Sequence, residues 1–414
     1  MKPTLLSVSS VFNGLDAYLA RPEPAFRWEK KSEKRVGELL IEELRLTSQT
    51  WQGNVWEHRV QVCRPDKPRY PDFCVVRNTG GNGGERDEAM SIQLARDSGC
   101  TVATMFNNPM QPLYGGLTED ALIAYTWQKY LETNDESWPL HFPMAKAVLK
   151  TMDALQQHSK NKLQRFMVFG ASKRGWTTWL VGASGDKRVV GIAPQVIDVL
   201  KVAEQIPHQL EMLGGKPSEE IEDYVRTGFD KLLLTPPGKR LMDLEDPYSY
   251  RERLTLPKLL QLGTNDRYWA QDALNLYWDG LLGPKWVLYA PNSGHSLEDR
   301  GRVMSTLAAF TRSLASRKPL PKLTWSWSAE DNGARLRFTS TAPIRAARLF
   351  RCLGPTTDFR DQKWSFTELP TSSHGFEAWQ PTPRRGFGAA YGEATFDLDG
   401  QPFTLSTQIR ILGR

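Results

Sequence analysis

Apolar and polar positions alternate with period two between residues 37 and 65. GELLIEELRLTSQTW and VWEHRVQVCRP read as two antiparallel strands joined at a QGN turn. Residues 1–35 show no sustained period and read as an irregular leader. Short apolar runs then recur: DFCVVRN (72–78), TVATMFN (101–107), RFMVFG (165–170), VVGIAPQV (189–196), KLLQLGT (258–264) and KWVLYAP (285–291). Runs of this length without a polar face are strands buried on both sides. Segments of helical period separate most of them, among them EDALIAYTWQKYL, MAKAVLKTMDALQQH and GRVMSTLAAFTRSLASR (301–317). An opening hairpin followed by alternating strands and helices predicts a doubly wound, mostly parallel α/β sheet with helices on both faces. The interval 200–256 is too long for a plain crossover. It holds the amphipathic stretch EEIEDYVRTGFDKLLL and predicts a helical cap over the C-terminal edge of the sheet.

The pattern changes after KPLP (318–321). TWSWS, ARLRFTSTA, AARLFRCL, ATFDLD and FTLSTQIRIL alternate at period two between Gly, Pro and Asp turns. Two domains are therefore expected: residues 1–317, with the cap inserted, and residues 318–414 as a small immunoglobulin-like β-sandwich.

Composition narrows the partners. The net charge is +6, yet no block of five like charges occurs, and WEKKSEKR (28–35) mixes signs. That stretch reads as a solvated face, and no nucleic-acid partner is expected. The four cysteines, at 63, 74, 100 and 352, form no CxxC and have no metal-ligand spacing, so buried free thiols are the default. The apolar stretch near the start is short and broken by Ser, unlike a secretory signal. No run reaches membrane-spanning length.

The chemistry centres on FGASKRGW (169–176). It follows a strand and opens a helix, and small residues at Gly170 and Ala171 precede Ser172. A serine at such a turn is a candidate nucleophile. The second glycine, Gly175, stands one place later than in G-x-S-x-G. A nucleophilic serine needs a base and a carboxylate that orients it. Asp266, in LLQLGTNDRYW, lies just past one strand, and His295, in LYAPNSGHS, just past the next. The order Ser, Asp, His is that of a doubly wound hydrolase. An oxyanion hole would use the backbone N–H of Lys173 and one from Gly80 or Gly81 in TGGNGG (79–84). TGGNGG carries no GK[ST] and no GxGxxG frame, which excludes nucleotide binding as the main role. No metal-ligand motif is present, and no cofactor or metal is called for. Trp176, Tyr268 and Trp269 flank the candidate residues and read either as substrate-binding or as packing under the turn. His141 and His208 read as structural.

LDAYLARPEPAFRW, TGGNGG, GASKRGWTTWL, DPYSYRERLTLPKLL, LGTNDRYW and PNSGHSL together resemble the PhoPQ-activated pathogenicity-related proteins. The resemblance runs from residue 15 almost to the end. It implies an α/β-hydrolase fold, a C-terminal β domain and a Ser–Asp–His site on Ser172, Asp266 and His295. It also implies a periplasmic or secreted location, where the sequence by itself, showing no signal, leaves a cytoplasmic one as the alternative. The displaced glycine matches this family's form of the turn. The segment is similar, too, to the Gly-x-Ser-Arg-x-Gly elbow of glucuronoyl esterases, with Lys173 in the basic place, which admits a uronate ester. The expectation is a serine hydrolase acting on a small or polymer-attached carboxylic ester. Two rivals are a peptidase or amidase on the same triad, and a non-catalytic secreted binding or signalling protein.

Overall fold

The computed structural model describes residues 13–233 and 235–413. Helix α1 (Asn13–Leu19) precedes a meander of β1 (Arg27–Val36), β2 (Leu39–Trp51) and β3 (Asn54–Pro65). Gln52 and Gly53 both have positive φ, 46° and 78°, the backbone that matches the twist of a tight hairpin. The irregular leader expected over residues 1–35 is corrected here. Its first twelve residues lie outside the described ones, but the rest contains α1 and β1. Strand β1 reads RWEKKSEKRV and is almost wholly exposed, so no apolar alternation announces it. It is held by its ladder to β2, and its charges suit the outer edge of a sheet.

The α/β part follows: β4 (Phe73–Asn78), α2 (Glu85–Ser98), β5 (Thr101–Met105), α3 (Glu119–Thr133), α4 (His141–His158), β6 (Arg165–Ala171), α5 (Lys173–Ala183) and β7 (Val189–Gln195). After the cap come β8 (Lys258–Gly263), β9 (Lys285–Ala290) and α10 (Arg300–Ser316). The strands lie in the order β5-β4-β6-β7-β8-β9, all parallel, and β3 joins β5 antiparallel. Every residue of β5 and β8 is buried, which explains their unbroken apolar runs. Alternate residues of β4 serve opposite cores. Cys74 and Val76 pack with Val148, Trp179 and Leu180 of α4 and α5, whereas Phe73 and Val75 pack with Leu94 and Phe310 of α2 and α10. All four cysteines are buried and free.

The cap comprises α6 (Val202–Met212), α7 (Glu222–Arg226), α8 (Phe229–Leu232) and α9 (Pro236–Glu245). The amphipathic stretch 219–234 is broken up rather than continuous. A 3-10 turn at Glu219–Ile221 leads into α7, and Gly228, at φ 69°, separates α7 from α8.

The C-terminal strands are β10 (Leu323–Glu330), β11 (Gly333–Ser340), β12 (Ala346–Gly354), β13 (Ser365–Leu369), β14 (Gly375–Pro381), β15 (Phe387–Leu398), β16 (Gln401–Ser406) and β17 (Arg410–Gly413). Strands β10-β11-β14 form one layer. The order β16-β15-β12-β13, with β17 beside β15, forms the other. The layers meet face to face at Gly392, where a Cβ would lie 2.6 Å from Leu336 and 3.0 Å from Phe376. The second layer extends the central sheet, because β16 pairs antiparallel with β9 at Ser406 and Val287. Tyr289 N also donates to Ser406 Oγ, at 3.1 Å.

Candidate active site

Ser172 joins β6 to α5 with φ 59° and ψ −130°, a conformation costly for any residue but glycine. Its N–H donates to Gln195 O at 2.9 Å, and its carbonyl accepts from Trp176 N at 2.9 Å, so the strained turn is pinned on both sides. The two glycines are explained by close backbone approach. A Cβ on Gly170 would lie 2.8 Å from the carbonyl oxygens of Asn78 and Arg174. One on Gly175 would lie 2.7 Å from Ile197 Cγ2 and 2.8 Å from Gln195 O, where α5 crosses the end of β7. The tight crossing thus falls at position 175, and position 174 is free to carry a side chain.

That side chain is a buried arginine. Arg174 Nη1 and Nη2 donate to the two oxygens of Glu119, at 2.6 and 2.7 Å, and its Nε donates to Asn108 O at 2.6 Å. The guanidinium occupies the space a side chain at Gly80 would need, since a Cβ there would lie 1.7 Å from Nη2. Lys173 Nζ stands 2.8 Å from Glu119 and 3.2 Å from Asp120. Burial pushes the Glu119 carboxyl up, but the Arg174 and Lys173 cations outweigh it and hold the group well below the usual carboxylate range. The Lys173 ammonium is therefore engaged by acids at the start of α3. Its backbone N–H, in the first turn of α5, has no acceptor within the helix.

Asp266 lies just past β8 and His295 in the loop after β9. Gly263 lets that loop close, because a Cβ there would lie 2.4 Å from Ser293 O. Asn265 N donates to the same oxygen at 2.9 Å. His295 Nδ1 lies 2.8 and 3.0 Å from the two oxygens of the buried Asp266, which also accepts from Tyr268 N at 3.0 Å. An Nδ1–H donated to Asp266 leaves Nε2 as the free lone pair of a neutral imidazole. Nε2 is buried and has no hydrogen-bond partner among the described residues. The Tyr268 ring lies over the imidazole, 4.3 Å between centroids.

Ser172 borders two cavities. The larger, of about 430 Å³, is lined by Gly80, Gly81, Ser172, Gln195, His295 and Arg300, among others. A second, of about 90 Å³, lies under the cap against Trp127, Trp176, Ile206, Phe229, Tyr268 and Trp269. The candidates thus fall into two groups that share Ser172. His295, Gly80 and Gly81 line the larger cavity, with Asp266 behind His295. Lys173, Trp176, Tyr268 and Trp269 line the cap cavity. Trp176 both lines and packs: it stacks on buried His141 at 4.8 Å and donates from Nε1 to Glu245 O. His141 is bonded to Glu245, and His208 to Asp272 at 2.8 Å. Sequence reasoning missed Glu119, Asp120 and Arg300. The first two open α3, where acidic residues are ordinary, and nothing local pairs them with residues 173 and 174. Arg300 carried one faint signal, a cation in the first turn of a helix.

Residues 15–360 match the PhoPQ-activated pathogenicity-related protein family. Autocrine proliferation repressor protein A of Dictyostelium discoideum is 28% identical over 433 positions, covering 94% of this chain and 87% of that one. Acetyl xylan esterase 1 of a Thermoanaerobacterium species superposes with a TM-score of 0.52 at 15% identity, over 73% of this chain and 93% of the esterase. An acetyl xylan esterase of a Paenibacillus species has a TM-score of 0.49 at 13% identity, over 70% and 92% of the two chains. At 15% identity the likeness to the first of these structures is one of fold. With its family match over most of the sequence and this architecture, the chain belongs to the PhoPQ-activated pathogenicity-related proteins and has the α/β-hydrolase fold.

Proposed function

We propose that the protein is a serine hydrolase of carboxylic esters, with Ser172 as nucleophile, His295 as general base and acid, and Asp266 as the group that orients His295. The observation that carries this reading is the imidazole. Its Nδ1 is held by Asp266, while Nε2 lacks a partner and the ring lines the same cavity as the strained Ser172. Ser172 Oγ attacks the ester carbonyl carbon and its proton passes to His295 Nε2. Asp266 stabilises the resulting imidazolium. The oxygen that becomes negative accepts from the N–H of Lys173 and from that of Gly80 or Gly81. As the tetrahedral intermediate collapses, the bond to the alcohol oxygen breaks and His295 gives that oxygen its proton. Water, deprotonated by the same nitrogen, then attacks the acyl-enzyme. Acid is released and Ser172 regains its proton.

The name of the Dictyostelium relative favours one rival, a binding or signalling protein that keeps the fold without turnover. Intact mass after treatment with a fluorophosphonate separates the two. A single adduct on wild type, absent from Ser172→Ala, supports the hydrolase. No adduct on folded wild type, together with no hydrolysis of p-nitrophenyl acetate, overturns it.

A further inference from the structure

The larger cavity is lined by three arginines, Arg77, Arg174 and Arg300, and by one carboxylate, Glu119. Arg174 is saturated by Glu119, and Arg77 Nη1 lies 2.8 Å from Asp87. Arg300 is exposed and has no ion pair among the described residues. It is the first residue of α10, where the positive end of the helix disfavours a cation. Its neighbour Arg302 is neutralised by Asp299 and Glu393, but Arg300 is not. Burial holds the Arg77 guanidinium below its usual range, and the like charge of Arg300 adds to that despite the pull of Asp87. Two cations on one cavity wall are unfavourable until an anion lies between them. A guanidinium fork is also the donor geometry that fits a carboxylate or phosphate.

Which part of the substrate lies there follows from the chemistry above, and to that extent the inference rests on the ester-hydrolase reading. The group that protonates the leaving oxygen must reach it, and His295 lines the larger cavity but not the one under the cap. The alcohol therefore lies in the larger cavity and the acyl group under the cap. We propose that Arg300, beside Arg77, determines specificity by receiving an anionic group, carboxylate or phosphate, on the alcohol part of the ester.

The test is calorimetric binding of three product-like phenols: 4-hydroxybenzoate, 4-hydroxyphenyl phosphate and the neutral methyl 4-hydroxybenzoate. Wild type, Arg300→Gln and Arg300→Lys are compared, and circular dichroism checks that each is folded. Wild type is expected to bind at least one anion about tenfold more tightly than the neutral phenol at low salt, with the advantage shrinking at about 0.5 M salt. The advantage should vanish in Arg300→Gln and survive in part in Arg300→Lys. The anion that gains more tells carboxylate from phosphate. Failure of both anions to bind, an equal affinity for the neutral phenol, or an advantage kept by Arg300→Gln overturns the proposal. The readout needs no turnover. An anion advantage in a protein that neither forms the Ser172 adduct nor hydrolyses p-nitrophenyl acetate would sink the hydrolase reading and leave the anion site standing.

Discussion

Arg174 and Glu119, 55 residues apart, meet as a two-point fork with nitrogen–oxygen distances of 2.6 and 2.7 Å. The fork ties the turn at Ser172 to the first residue of α3 and passes beneath Gly80, so one ion pair sets the spacing between the nucleophile turn and the glycine loop. Glu119→Gln would leave a buried guanidinium half-paired. Because the Glu119 side chain is 41% exposed, the full cost of breaking a buried pair is screened, and we expect a loss of about 1–2 kcal/mol. Thermal unfolding measures it. Glu119 is held below the ordinary carboxylate range in the folded state. Its stabilisation is therefore full above the unfolded value, about 4.3, and is lost progressively as pH falls from there toward the lower folded one. The stability difference between wild type and Glu119→Gln should shrink at acid pH. A constant difference down to pH 2 would show that charge is not the cause.

Gly80→Ala tests the same relationship from the other side. The added methyl meets the Arg174 guanidinium, so the arginine or the loop must move. Both lie beside Ser172, and a misplaced N–H donor costs about 2.7–4 kcal/mol of transition-state stabilisation. We expect kcat for a p-nitrophenyl ester to fall by about a hundredfold with KM changed little. A matching loss confined to KM would place Gly80 in substrate binding instead.

How much of this could be read from the chain differs by the range of the interaction. The candidates Ser172, Asp266 and His295 stood out because each follows an apolar strand run in sequence, and strand ends are local features. The displaced glycine was legible as a departure but not as a cause. Only the crossing of α5 over Gln195 and Ile197 explains why position 175, and not 174, must be bare. The fork was not legible, because Glu119 looks like any acidic residue opening a helix. Strand β1 was missed because exposure on both faces erases the period-two pattern. The joining of β16 to β9 was missed because pairing partners leave no mark in either strand.

Asp266→Asn separates positioning from charge. An amide NH₂ turned toward Nδ1 would favour the tautomer with the proton on Nε2, which cannot accept from Ser172. By analogy with other triads, kcat should fall about 10⁴-fold while the fold persists. Single-turnover kinetics with a chromogenic ester would check it, and a loss smaller than about tenfold would remove Asp266 from the mechanism.

Asp198 lies behind the site, buried, with Tyr277 Oη donating to it at 2.7 Å. Burial, reinforced by the charges of Asp266 and Asp272, pushes its carboxyl up to about 7. The unfolded value is about 3.9, so between about pH 4 and 7 the folded chain keeps a proton that the unfolded chain has lost. Asp198 thus favours folding below pH 4, and this contribution disappears as pH rises through 7. In Asp198→Asn the melting temperature should fall less between pH 5 and 8 than in wild type. Identical slopes in the two proteins would remove Asp198 as the source.

The acyl group, on our reading, enters the cavity under the cap, and that cavity is small. At about 90 Å³ it is smaller than the roughly 150 Å³ cavity that accepts benzene in an engineered protein core. Its walls include Trp127, Trp176, Ile206, Phe229 and Trp269 together with Asp120 and Lys173, and the polar ends of Gln205 and Gln209 are bonded to backbone carbonyls. Acetate and butyrate esters should therefore be preferred over decanoates, and the fall in kcat/KM should be steep once the cavity is full. Ile206 lies on α6, so its side chain can be cut back without touching the Ser172 turn. Each methylene that gains burial returns about 0.8 kcal/mol, so Ile206→Ala should raise kcat/KM for an ester two carbons longer by about tenfold relative to acetate. A p-nitrophenyl ester series measures the profile on both proteins. If the chain-length profile does not move in Ile206→Ala, the acyl group lies elsewhere, and the division of the site into an acyl side under the cap and an alcohol side beside His295 is wrong.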